Sequence, residues 1–357
     1  MIRVSCSPGE RRVAVTQGGR LIDYALDRPG APDGVGDLHL GRVTARRPAM
    51  AGAFVALDGN ADGFLPDSAG SVTEGEWVRV RITRAAQGGK GVRLSRETGP
   101  AEGPLRLLER GPDGVARMAA AHDGPIEVDD AAVFAGLRPW GDRLRLVSDA
   151  FGDATEATVE ALGRPEAALP GGARMTVTPT PALVAIDVDL GGGVSARGGK
   201  DTTHAAANAA LIPALARQIR LRNLGGAIVV DFAGLSPRRR APLGPTLAAA
   251  VAGDPVRTRF LGFSALGLAE LLRDRIRPPL HEQLAGPHAA ALAALRALAR
   301  EIAAAPRTPP ELVCAPDVAD ALARDDVARA DLARRAGRPL MVRTDRTLPP
   351  LAWSLAR

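Results

Sequence analysis

The spacing of apolar positions changes several times along this chain, and each change marks an element. In residues 1–35 the alternating runs Arg12-Val-Ala-Val-Thr16 and Arg20-Leu-Ile-Asp-Tyr-Ala-Leu26 predict two strands, with Gly18-Gly19 as the turn between them. A Pro/Gly-rich stretch from Arg28 to Gly36 predicts a boundary. Residues 36–97 hold short strand candidates at Asp37–Ala45, Ala53–Leu57, Gly63–Pro66, Trp77–Thr83 and Gly91–Arg96. Short, closely spaced strands of this kind fit an OB-type barrel, a fold that commonly takes single-stranded nucleic acid. Residues 98–180 are interrupted throughout by Pro and Gly. Several short strands are expected there, such as Leu144–Ser148 and Arg174–Thr178, within a small mixed domain.

From residue 181 to 280 the period alternates between strand and helix. Val184–Val188, Ile228–Phe232 and Arg257–Phe263 read as strands. Asp201 to Leu224 reads as a helix capped at Asp201 or Thr202 and stopped at Gly225, with Pro213 expected to kink or split it. Leu243–Val251 and Leu266–Ile276 read as further helices. A β-α-β-α-β-α series predicts a largely parallel sheet with helical crossovers. Residues 281–357 begin with a helix from His288 to Ala304, followed by a linker at Pro306–Pro310. A small unit then comprises Glu311–Ala315, a helical segment after Pro316, and Leu340–Arg343.

Composition narrows the class. The 357 residues are 46% apolar and 24% charged, ordinary for a globular protein of two or three domains. The formal charge is +6, carried almost wholly by arginine, with Lys90 and Lys200 the only lysines. Arg-rich surfaces suit phosphate, although codon bias in a GC-rich genome yields the same composition. Cys6 and Cys314 form no CxxC or Cys/His cluster, which excludes a cysteine-built zinc site. Neither a signal peptide nor a run long enough to span a membrane is visible, so a cytoplasmic, reducing location is expected.

The candidate chemistry lies in two acid-ended strands, Ala182-Leu-Val-Ala-Ile-Asp-Val-Asp189 and Ala227-Ile-Val-Val-Asp-Phe232. Strand alternation puts Asp187 and Asp189 on one face and Val184, Ile186 and Val188 on the other. Ligand sites in parallel α/β sheets form at the carboxyl ends of strands. If the two strands are neighbours, Asp187 and Asp231 converge there. Paired carboxylates repel unless a cation lies between them, and Mg²⁺ is held by one or two carboxylates together with water and phosphate oxygens. Solvent-exposed strand ends would give the same pattern. Arg238-Arg239-Arg240 suits either an RNA backbone or a solvated loop, and Arg217, Arg220 and Arg222 either an RNA-facing stripe or a wet helix face. Gly191-Gly-Gly193 and Gly198-Gly199 would permit close phosphate approach. The five histidines, at 39, 122, 204, 281 and 288, form no nucleophile-base pattern.

These segments resemble the ribonuclease E/G endoribonucleases. AIDVDLGGGVSARGGKD is similar to the family's catalytic strand, commonly AIDVNSG and a Gly/Arg-rich turn. ARQIRLRNLGGAIVVDF (216–232) matches its helix-to-strand segment, and GLAELLRDRIRPPL (267–280) resembles GLLEMSRQRLRPSL. GDLHLGRVTARRPAMAGAFVALDGNADGFLP is similar to its S1-like region. The resemblance implies an α/β multidomain chain. Its parts are an N-terminal piece of an RNase H-like region (1–35), an inserted S1-like OB barrel (36–97), a reduced RNase H-like or sensor remnant (98–180), a DNase I-like catalytic subdomain (181–280) and a small C-terminal unit (281–357). It implies Mg²⁺ on Asp187 and Asp231, and Asp189 as a supporting catalytic residue where the family usually has Asn. It also implies RNA binding by Phe54, Phe64 and Lys90, with Arg238 and Arg239 further candidates. An isolated Phe serves equally as a core residue.

Departures from the family shape the remaining expectations. No Arg-Thr sensor pair occurs in 98–180, Ala265 stands where the family has Arg, and Gly234 stands where it has Asp. Sensing of a 5′-monophosphate is therefore in question. The paired-cysteine zinc link is absent, so no zinc-linked tetramer is expected, while a homodimer remains possible. The activity implied is Mg²⁺-dependent cleavage of single-stranded rRNA or mRNA to 5′-phosphate and 3′-hydroxyl ends. The alternative is a non-catalytic RNA-binding relative.

Overall fold

The computed structural model describes residues 1–59, 62–191, 200–305, 310–337 and 341–356. The protein is mixed α/β and divides into two units. One comprises Met1–Pro32, Pro112–Val159 and His281–Arg357, the other Asp33–Gly111 and Glu160–Leu280. Among the described residues no helix is long and apolar enough to cross a membrane.

Three antiparallel strands open the first unit: β1 (Ile2–Ser7), β2 (Glu10–Gln17) and β3 (Arg20–Asp27). Gly18 and Gly19 make the β2–β3 turn at positive φ, where a side chain would be strained. The chain then enters the second unit as β4 (Leu38–Arg47), β5 (Gly52–Ala56), β6 (Asp62–Pro66), β7 (Trp77–Arg84), β8 (Val92–Glu97) and β9 (Arg106–Glu109). Pairings β4–β5, β5–β6, β6–β8, β8–β7 and β7–β4 close a five-stranded barrel of the OB type, and β9 pairs with β4. Val43, Val55, Leu65, Val80 and Leu94 alternate inward and fill it. All five strands read from the alternation are present.

Back in the first unit come α1 (Gly114–Ala121), β10 (Ile126–Val128), α2 (Ala131–Gly136), β11 (Leu144–Leu146) and α3 (Gly152–Ala161). β10 and β11 run parallel to β1, giving the sheet order β11-β10-β1-β2-β3. Within this unit Glu156 receives both Nη atoms of buried Arg12, at 2.7 and 2.9 Å, and Arg300 at 2.6 Å. Burial opposes ionisation of Glu156, but hydrogen bonds and charge from Arg12, then Arg300, outweigh it and hold the carboxyl down at about 2. A folded-state pKa below the unfolded one contributes stability that is present above the ordinary 4.5 and lost as pH falls towards 2. Glu156→Gln should therefore flatten the acid limb of the stability curve. Between those limits the parent is expected to lose about 3 kcal/mol more than the variant, measured as urea midpoints against pH. Parallel acid limbs would show that the pair is not coupled to folding.

The second sheet contains β12 (Glu166–Ala168), β13 (Arg174–Pro179) and β14 (Val184–Asp189). After α4 (Lys200–Leu221) come β15 (Gly226–Phe232), α5 (Pro237–Arg240), α6 (Gly244–Ala252), β16 (Thr258–Phe263) and β17 (Ala269–Arg273). Its order is β12-β13-β14-β15-β17-β16. Four expectations are revised here. Only β14–β15 pairs in parallel and every other neighbour is antiparallel, so the sheet is mixed. The segment read as helix Leu266–Ile276 contains strand β17, because Ala269, Leu271 and Arg273 point inward while Glu270 and Leu272 do not. Of the kink or split expected at Pro213, the split does not occur: α4 is continuous, with buried Ile212, Ala214 and Leu215 anchoring both sides of the proline to the sheet. Gly225 is not the stop either. Asn223 takes the left-handed turn at φ +47°, and its amide donates to the carbonyls of Arg277 and Pro278.

Further on lie α7 (Leu280–Gln283), α8 (Gly286–Ala304), β18 (Glu311–Cys314), α9 (Pro316–Arg324), α10 (Asp326–Ala336), β19 (Val342–Thr344) and β20 (Trp353–Ala356). The last three strands form a small sheet, β19-β18-β20. Most of the proline linker, 306–309, lies outside the described residues.

Candidate functional site

The parallel register of β14 and β15 sets Asp187 directly opposite Asp231. Ile186, Val188, Val230 and Phe232 are buried in the core, so alternation turns both aspartates to the other face, where they are exposed. Both lie at the carboxyl ends of their strands, on neighbours roughly 4.8 Å apart. Asp231 is held: its Oδ1 accepts from Arg240 Nη1 at 2.7 Å. Arg240 is only 9% exposed and is fixed in turn by the carbonyls of Leu235 at 2.8 Å and Gly267 at 2.9 Å. Asp187 takes no hydrogen bond or ion pair among the described residues, and its cross-strand neighbour on β13 is Thr176. One unpartnered carboxylate beside one half-neutralised carboxylate fits a hard divalent ion that brings its own water. Among the described residues no three His, Cys, Asp or Glu gather into a metal-holding group, so a site requiring an all-protein ligand set does not fit.

Asp189 shares the face of Asp187 but is otherwise engaged. It accepts from Arg174 Nη2 at 2.9 Å and Nε at 3.2 Å, across the β13–β14 pair, and from the Gly191 amide at 2.9 Å. The Gly191 amide and then Arg174 hold its carboxyl below the usual range. Asp189 is thus a charged residue with its own counter-charge, shaping the turn after β14. Asp189→Asn should shift the affinity of this face for added Mg²⁺ by less than about threefold, as expected of an exposed ion pair. A shift of tenfold or more in a Mg²⁺ titration would make Asp189 a ligand.

On the barrel, Phe54 and Phe64 face each other across β5–β6, with ring centroids 5.7 Å apart in an edge-on arrangement. Both are half-buried and neither belongs to the barrel's core cluster. The parallel β6–β8 register continues the row to Arg93, giving two aromatic rings and a guanidinium side by side. Lys90 is exposed at the β7–β8 turn, where its backbone bridges Gln87. Arg238 and Arg239 are exposed on α5. The Arg240 of the same triplet is not solvated but buried on Asp231, which the sequence reading missed. Arg222 is also buried, against the carbonyls of 161–166, and so belongs to no wet stripe. Arg217 and Arg220 line a cleft of about 460 Å³ between α4 and α6. Of the glycine loop only Gly191 is described; Gly192, Gly193, Gly198 and Gly199 lie outside the described residues.

Gly234 sits at φ +68°, and a Cβ there would come within 2.1 Å of His204 Nδ1, so the imidazole occupies the space a longer residue would need. Ala265 and Leu266 are both exposed at the β16–β17 turn, Leu266 at 78%.

The family model described as Ribonuclease E/G family matches residues 148–276, which include β14, α4, β15 and β17. The chain is 25% identical to Ribonuclease E of Escherichia coli strain K12 over 391 residues, covering 76% of this chain and 36% of that one. It is 24% identical to Ribonuclease E of Haemophilus influenzae, covering 76% of this chain and 41% of that one. Over 118 residues it is 38% identical to Ribonuclease G of E. coli K12, covering 32% of this chain and 24% of that one. The chain therefore spans between about a quarter and two fifths of the length of these relatives.

Proposed function

We propose that the chain, which is similar to the ribonuclease E/G family over residues 148–276, is a Mg²⁺-dependent endoribonuclease that cuts single-stranded RNA to 5′-phosphate and 3′-hydroxyl ends in the cytoplasm. The observation that carries this reading is the in-register Asp187–Asp231 pair on adjacent parallel strands. A protein that only binds RNA gains nothing from two carboxylates facing the polyanion, and the non-catalytic alternative has no observation in its favour. On this reading the order β11-β10-β1-β2-β3 is the RNase H-like part and the sheet bearing the aspartates the DNase I-like part.

The division of labour follows from the residues. Phe54 and Phe64 stack bases and fix the strand on the barrel. Asp187 and Asp231 would hold Mg²⁺, leaving room for water and a phosphate oxygen. When bound, the ion supplies a water of lowered pKa and charge stabilisation at the phosphate. Arg240 keeps Asp231 aimed, while Asp189 is tied to Arg174 and leaves the pair uncrowded.

Incubation of an end-labelled single-stranded RNA with the protein and Mg²⁺, with EDTA as control, tests the proposal. Internal cuts with 5′-phosphate ends that vanish in EDTA are expected. Chelator-insensitive cleavage, or binding without cleavage, would overturn it. With Ala265 at the turn where the family has Arg, 5′-monophosphate and 5′-hydroxyl substrates should be cut at equal rates.

A further inference from the structure

Three arginines from separate strands and loops lie near one another at the edge of the barrel, and among the described residues none is ion-paired to an acid. Arg84 ends β7 and pairs in register with Arg93 of β8. The next residue, Ala85, donates its amide to the Ile276 carbonyl at 2.8 Å, which ties this edge to the segment following β17. Arg275, one residue before Ile276, lies over the bare backbone of Gly225 and Gly226, where a Cβ on Gly226 would come within 2.3 Å of its Nε. Its Nη1 also reaches within 4.0 Å of a Cβ position at Gly88, in the β7–β8 turn. Burial, then the charges of Arg93 and Arg275, push the Arg84 guanidinium pKa down, so both cations lie near enough to act on it. Among the described residues none of the three has a hydrogen bond or ion pair to a carboxylate. Two other arginines of the same unit, Arg81 and Arg277, are by contrast matched to acids, Glu97 and Asp33.

Like charges held together without a counter-ion cost stability unless an anion offsets them. The location says which anion. Arg93 is also the third member of the Phe54–Phe64 row, so an anion on the triad is the neighbour of a base stacked on those rings. Arg275 lies at the start of β15, the strand whose far end carries Asp231. We propose that Arg84, Arg93 and Arg275 form a phosphate-binding subsite that takes the RNA backbone where the strand leaves the aromatic pair. The guanidinium fork matches phosphate oxygens, and glycines at 225 and 226 leave room for the Arg275 side chain to lie flat. This inference rests on the RNA-cleaving reading above.

The test uses full-length protein, a fluorescent single-stranded RNA, and EDTA to prevent cleavage. Anisotropy titrations at several salt concentrations compare the parent with Arg93→Gln, Arg275→Gln and their double variant. Arg20→Gln, at the exposed β2–β3 turn, serves as the control for loss of one charge. Loss of charge-assisted hydrogen bonds to phosphate should weaken binding about tenfold for each single variant. The slope of log K against log salt should become shallower by about 0.7 for each phosphate no longer engaged. Arg93 is exposed, so Arg93→Gln folds even if the Arg275 variant does not. Affinity and slope matching the Arg20 control would overturn the subsite while leaving the nuclease reading intact. Weaker binding with an unchanged slope would also overturn it, since the arginines would then act by shaping the barrel. A parent protein that binds no RNA would overturn both.

Discussion

Asp187→Asn should reduce cleavage of single-stranded RNA in Mg²⁺ by about a thousandfold, roughly 4 kcal/mol of transition-state stabilisation. The substitution is nearly isosteric and removes one negative charge. Asp187 is exposed and takes no partner among the described residues, so stability should change by no more than about 0.5 kcal/mol. The folded protein should lose some carboxylate repulsion, because the neighbouring Asp231 retains its charge and its bond to Arg240. RNA affinity in EDTA should stay within twofold of the parent, since the Phe54–Phe64–Arg93 row is untouched. Loss of rate with retained binding and retained thermal stability assigns Asp187 to the metal. A variant that cleaves at the parental rate in Mg²⁺ would remove the aspartate pair from the mechanism.

The asymmetry of the pair gives this prediction its direction. Among the described residues Asp231 has a fixed arginine and Asp187 has none, so the two carboxylates are not interchangeable. Arg240 offsets part of the repulsion in the absence of metal and limits how Asp231 can rotate. The third acid on the face, Asp189, has its own arginine. Among the described residues, this surface of three carboxylates thus presents one without a counter-charge, a setting in which a polyanion and a divalent ion can both bind.

Local pattern revealed these features to very different degrees. The barrel strands were legible because each is half-buried and alternates cleanly, as in β7, where Val78, Val80 and Ile82 point inward. The acid-ended strands were legible for the same reason, together with their flanking residues. The segment Leu266–Ile276 was misread because Leu268, Leu271 and Leu272 recur at helical spacing. The strand instead turns Arg273 inward, where Asp254 at 2.8 Å and Asn223 at 2.7 Å receive it. No local rule anticipates an inward arginine whose partners lie far off in sequence. The same holds for Arg240, which looked like part of a solvated triplet until α5 folded it back onto Asp231. The parallel-sheet expectation failed at its edges: β16 and β17 form a hairpin, and β13 arrives from the preceding segment, so no helical crossover sets their direction.

Arg222→Met should lower stability by about 3–4 kcal/mol. Arg222 is 5% exposed, at the end of α4. Its guanidinium donates to the carbonyls of Leu162 at 3.0 Å, Glu166 at 3.3 Å, Ala161 at 3.5 Å and Arg164, and its Nε to Gln218 at 3.2 Å. These carbonyls belong to the segment that leads into the edge strand β12, so one side chain holds that edge to the helix. Hydrogen bonds from a charged donor contribute about 1.5–3 kcal/mol each, and methionine would leave the carbonyls without their donor in a dry pocket. Burial also costs the guanidinium solvation, as its lowered pKa indicates, and removing it returns part of that cost, so the net is well below the sum of the bonds. For a domain of this size the loss corresponds to roughly 10 °C in the melting midpoint, measured by calorimetry. Arg222→Lys should recover less than half, because one ammonium cannot span acceptors arranged for a planar fork. Amides of residues 162–168 should lose hydrogen-exchange protection first. Because β12 supports β13, whose Arg174 clamps Asp189, cleavage should fall along with them. A midpoint within 2 °C of the parent would mean that water satisfies those carbonyls and that Arg222 is not the clasp of this edge.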